Sequence, residues 1–99
     1  MSNGAPRPVQ VTGLCGVPAG ATAASVNVTV VSPNRAGFFS LYPGGEQPPS
    51  ASTINFAQSQ TRANNAVLKL GTDGSLTALL VSGSFGEAHV IVDVNGYFQ

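Results

Sequence analysis

His89 is the only histidine of the chain and Cys15 its only cysteine, so imidazole and thiolate chemistry rest on these two residues. Asp93 follows His89 by four positions. In an extended segment both side chains fall on one face but stand about 13 Å apart at roughly 3.3 Å per residue, beyond hydrogen-bond reach. A hydrolytic triad would have to be completed from other strands. The expectation is a non-catalytic chain, with His89 partly exposed on the wet face of its strand. Zinc requires three or four His, Cys or carboxylate ligands, and one His with one Cys leaves too few. Calcium requires clustered oxygens, whereas Glu46, Asp73, Glu87 and Asp93 are scattered. No metal and no cofactor are expected. Cys15 has no basic neighbour in sequence to activate it, and is expected as a buried, unreactive thiol.

Two pairs of residues suit recognition better than catalysis. Arg62 and Asp93 are two of only eight charged residues in the chain. An opposite pair between strands would satisfy both groups, since a guanidinium fork matches a carboxylate. The structural reading is a strand-pinning salt bridge; the functional one is a pair of ligand contacts. Among the aromatics, Tyr42 beside Pro43-Gly-Gly45 and Phe85 in a glycine-flanked loop are the two placed to face outward and stack on a sugar. Most of the phenylalanines are expected in the core. Asn27, Asn55, Asn64 and Asn65 are expected to hydrogen-bond turns and loop backbones. Asn27-Val-Thr29 matches a glycosylation acceptor but sits in mid-strand.

The charge count removes whole classes of partner. Four basic and four acidic residues cancel, so there is no cluster to neutralise nucleic-acid phosphates or an anionic lipid surface. No stretch approaches the ~18 apolar residues of a membrane span. Residues 1–8 lack the basic-then-apolar layout of a signal peptide. Twelve glycines and seven prolines stand beside 42% hydrophobic residues, which describes a turn-rich folded chain rather than a disordered one.

The elements that must position these residues are strands. Ala24-Ser-Val26-Asn-Val28-Thr-Val30 alternates with period two, and Ala88–Val94 does the same except for Ile91. Leu76–Val81 is apolar on both parities. Val9–Leu14, Phe38–Tyr42, Ser52–Phe56 and Asn65–Leu70 are weaker strand signals. Asp73-Gly74 between apolar runs predicts a tight hairpin. About seven short strands without a helix predict an all-β fold, an antiparallel sandwich with a closed small barrel as the alternative. Residues 1–8 are expected as a flexible segment before a single domain spanning residues 9–99.

Read together, Cys15-Gly-Val-Pro18, Asn27-Val-Thr29-Val, Gln60-Thr-Arg62-Ala-Asn64-Asn65-Ala66 and Asp93-Val-Asn95-Gly-Tyr97-Phe98 resemble a small β-rich domain of secreted and cell-surface proteins of soil bacteria, one that often ends in Asp-Val-x-Gly-Tyr-Phe. The resemblance spans about Val9 to Phe98. It implies an extracellular or surface-exposed accessory module and supplies no catalytic residue. Relatives often pair the cysteine of the Cys-Gly-Val-Pro segment with a second one, which would fall near Leu80 or Val81; this chain has none.

The expected function is therefore a non-catalytic module that binds a surface or a glycan through Tyr42 and Phe85, with Arg62 and Asp93 as further contacts. The alternative is a structural subunit that self-associates through edge strands, because this chain carries a single lysine, the usual guard of such edges.

Overall fold

The computed structural model describes residues 1–13, 16–47, 52–83 and 85–99; Cys15, and with it the expectation of a buried thiol, lies outside them. The described residues form seven strands and no helix: β1 (Arg7–Gln10), β2 (Ala23–Val31), β3 (Gly37–Pro43), β4 (Ile54–Phe56), β5 (Arg62–Lys69), β6 (Ser75–Ser82) and β7 (His89–Phe98). They make two antiparallel sheets, β1-β6-β3-β4 and β5-β2-β7. The sheets pack face to face without closing, so the fold is a β-sandwich rather than a barrel.

The period-two pattern of β2 explains its place at the centre of the three-stranded sheet. Ala24, Val26, Val28 and Val30 are fully buried, while Ser25, Asn27 and Thr29 on the other parity are half-buried. Across the interior they face the sheet that carries Phe39, Leu41, Leu76, Ala78 and Leu80. Burying each of these larger side chains stabilises the fold by roughly 1.5–3 kcal/mol. Val90, Val92 and Val94 of β7 point inward in register with β2 but are only half-buried, because β7 is an edge.

Strand limits shift by a few residues from the sequence expectation. The first strand is Arg7–Gln10 rather than Val9–Leu14, because it pairs with Ser75–Ala78 of β6. Residues 1–8, expected to precede the fold as a flexible segment, contribute to it. Met1 exchanges both backbone hydrogen bonds with Ala88, at 2.6 and 3.0 Å. Ser2 bridges to Glu87, and Gly4 donates to the carbonyl of Leu80. The segment thus crosses from the edge of one sheet to the edge of the other before entering β1.

Asp73-Gly74 is a turn, yet not a hairpin. Gly74 N–H donates to Gly71 O at 2.9 Å, but β5 and β6 belong to different sheets. Gly74 has φ +77, and a Cβ there would collide with the Thr12 side chain, so both backbone and space require glycine. Only β3 and β4 are sequential neighbours within a sheet; every other connection arches from sheet to sheet. The consequence is two opposed loop clusters. Residues 32–36, 57–61, 83 and 85–88 gather at one end; residues 11–13, 16–22, 44–47 and 70–74 gather at the other.

Candidate functional site

The four residues singled out for recognition do not converge. Tyr42 sits near the end of the sandwich where residues 44–47 leave β3, whereas Phe85 sits at the opposite end. Tyr42 is only 4% exposed, which removes it as a stacking surface. Its neighbour across the sheet is Thr77, on the face of β3 turned away from Phe39 and Leu41. Phe85 is 90% exposed. Of the other phenylalanines, Phe39 and Phe56 are core, while Phe38 and Phe98 reach solvent, so the sandwich fills its interior mainly with aliphatic side chains.

Arg62 and Asp93 stand on opposite faces of one sheet and on opposite sides of β2. Arg62 lies across from Val30, an inward position; Asp93 lies across from Asn27, an outward one. The expected salt bridge is absent for this reason. Arg62 instead donates from Nη1 to the carbonyl of Asn55 at 3.1 Å, and Asn64, two residues on, donates from Nδ2 to the carbonyl of Thr53 at 3.0 Å. Both partners lie at or beside β4, so this pair ties the β5 edge to the β4 edge of the facing sheet. The ion pair found among the described residues is Lys69–Glu46, at 3.9 Å and largely exposed, a geometry that contributes little. Asn65 accepts from Nδ2 of Asn95 at 3.4 Å on the outer face.

The Phe85 end has more to offer. Gly86 N–H donates to Gly83 O at 2.8 Å, closing a turn whose third residue is Phe85. Phe85 has φ +61, a left-handed conformation in which a bulky side chain is rare. Asn34, from the β2–β3 connection, holds the loop there. Its Nδ2 donates to Phe85 O at 3.1 Å and its Oδ1 accepts from Glu87 N–H at 2.7 Å. Backbone N–H of Asn34 donates in turn to Glu87 O at 3.1 Å. Ser32, at φ +48, is fixed by its N–H donating to Thr61 Oγ1 at 3.1 Å, and buried Pro33 accepts from Ser59 N–H at 2.7 Å. Three connections are thereby locked together beneath one exposed ring.

Beside this loop lies an open cleft of about 290 Å³, lined by Ser2, Ser32, Asn34, Glu87 and His89 among others. Among the described residues the side chains of Ser32, Glu87 and His89 form no hydrogen bond, which leaves a hydroxyl, a carboxylate and an imidazole free for a ligand. The stem of Arg35 lies against Gly83 in the same cluster. Sequence inspection missed this grouping because Ser32 and His89 belong to distant segments, brought together only by the pairing of Val31 with His89. A hydroxyl, an imidazole and a carboxylate are the ingredients of a hydrolytic triad; among the described residues no hydrogen bond joins them. No three His, Cys, Asp or Glu side chains among the described residues are grouped to hold a metal ion. No helix among the described residues is long and apolar enough to cross a membrane. The chain matches no family model, no curated protein and no solved structure.

Proposed function

We propose that this chain is a non-catalytic extracellular module that binds a glycan or a polysaccharide surface at the Phe85 end of the sandwich. The observation that carries the reading is the 90% exposed Phe85 ring, held in a left-handed turn by Asn34 beside the cleft. An aromatic face in water is costly to leave bare, and a sugar ring covers it while its hydroxyls meet hydrogen-bonding side chains. Glu87 accepts, Arg35 donates, and Ser32 and His89 do either. Such a set suits neutral polyhydroxylated ligands, in keeping with a chain of zero net charge. The resemblance to β-rich modules of secreted bacterial proteins points the same way.

A glycan array followed by calorimetric titration of the best binder tests this. Phe85→Ala is expected to abolish binding with no fall in melting temperature. Retained affinity in that variant, or an array without any binder, overturns the reading.

A second reading, a self-associating structural subunit, rests on a separate observation. Both outer strands of the three-stranded sheet, β5 and β7, have an unpaired edge among the described residues, and between Arg62 and Lys69 of β5 no charged residue intervenes. Light scattering across a concentration series distinguishes it: growth in particle size with concentration supports assembly.

A further inference from the structure

We infer that the free edge of β7 is an acceptor for one more strand, donated by an extended polypeptide segment from outside residues 1–99, which completes the three-stranded sheet to four. The two long sides of the sandwich differ. On the β4–β5 side, Arg62 and Asn64 bridge to the carbonyls of Asn55 and Thr53 and seal the gap between the sheets. On the β1–β7 side the gap stays open as a cleft of about 210 Å³ between Val9, Phe39 and Ala78 on one sheet and Val90 and Val92 on the other, with Met1 and Arg7 at its margin.

The backbone shows which way the unused groups point. Glu87 directs its N–H and C=O to Asn34, on the β2 side. Ala88 directs both away, where they pair with Met1. Strand alternation then turns the N–H and C=O of Val90 and Val92 to the same free edge as Ala88. A ladder has thus already begun there, with Met1 beside Ala88 and Ser2 beside Glu87. Its continuation sets the register of the donated strand: antiparallel to β7, in line with Met1.

The same register defines the donor's chemistry. Residues opposite Val90 and Val92 point into the cleft and are apolar. Those opposite Ile91 and Asp93 face solvent, and a basic residue opposite Asp93 complements the one carboxylate on this strand. A second copy of β7 does not meet these terms. Centred on Ile91, which would set His89 against the other copy's Asp93, it would bring its Val94 onto the place Met1 holds beside Ala88.

Hydrogen exchange with the peptide acetyl-Val-Lys-Val-Thr-Val-amide, which ends one residue short of Met1, tests the inference. Read antiparallel to β7, it sets valines opposite Val94, Val92 and Val90 and its lysine opposite Asp93. At saturating peptide the amides of Val90 and Val92 should exchange roughly tenfold more slowly, with those of β5 unchanged. The peptide N-methylated at the valines opposite Val90 and Val92 should have no effect. Val92→Pro, which removes an N–H facing solvent and none bonded to β2, should abolish the protection of Val90 with far-UV circular dichroism unchanged; if that variant does not fold, the methylated peptide decides alone. Unchanged exchange with the peptide overturns the inference, as does equal protection by the methylated form. Protection in the free protein that grows with its own concentration assigns the edge to a second copy and likewise overturns it.

Discussion

Asn34 and Glu87 are joined by two hydrogen bonds, Glu87 N–H to Asn34 Oδ1 at 2.7 Å and Asn34 N–H to Glu87 O at 3.1 Å, and a third from Asn34 Nδ2 reaches Phe85 O. One amide side chain therefore holds the β6–β7 connection against the β2–β3 connection and sets the exposure of the Phe85 ring. Asn34→Ala removes both side-chain bonds, each worth about 0.5–1.5 kcal/mol net. The domain should lose roughly 1–3 kcal/mol in urea denaturation, and any glycan bound through Phe85 should be lost at temperatures where the fold persists. Phe85→Ala should lose the ligand alone.

Phe85→Gly provides the complementary test of the strained turn. Glycine adopts positive φ at little steric cost, so this variant should be as stable as the parent or slightly more so in thermal melts, even as binding disappears. A clear loss of stability would mean that the ring packs on the fold rather than serving a ligand.

Val28 lies at the centre of β2 with no exposed surface. Val28→Ala should cost on the order of 2 kcal/mol through lost contacts and a partial cavity. Val28→Asp should leave the chain unfolded at neutral pH, because an unpaired carboxylate in this interior has no partner. Far-UV circular dichroism reads both outcomes.

Arg62 and Asp93 should behave independently. They occupy opposite faces of the β5-β2-β7 sheet, so Arg62→Gln and Asp93→Asn should add within about 0.5 kcal/mol in a double-mutant cycle. Arg62→Gln alone should cost under about 1.5 kcal/mol, the net worth of its bond to the carbonyl of Asn55.

The Asp73 carboxylate accepts from the Ser75 hydroxyl at 2.6 Å and from Ser75 N–H at 3.1 Å. The hydroxyl bond is the main cause holding its pKa below the usual 3.8. A depressed folded-state pKa contributes stability that is present above the unfolded value and is lost as the pH falls through the folded one. Acid titration of stability should therefore show a loss below about pH 4 that is smaller in Asp73→Asn and in Ser75→Ala.

How far the sequence reached can be judged from individual residues. The alternation of Ala24 to Val30 specified a strand and its buried face, because side chains two apart share a face whatever the strand pairs with. The turn at Asp73-Gly74 was legible for the same local reason: only a residue free to adopt positive φ closes it. Charge scarcity was likewise a property of composition alone. Tertiary structure decided everything that depends on which strand lies beside which. Asp73-Gly74 became an arch between sheets because β5 and β6 bury their apolar faces from opposite sides of one core. Arg62 and Asp93 parted because facing depends on register, and register is set by packing against Val30 and Asn27 rather than by position along the chain. Tyr42 and Phe85 went to opposite ends, and Ser32, Asn34, Glu87 and His89 came together at one of them, since a sandwich gathers its loops by strand direction. No local pattern encodes that gathering, because it depends on which distant strands pair within the two sheets and which faces they bury against each other.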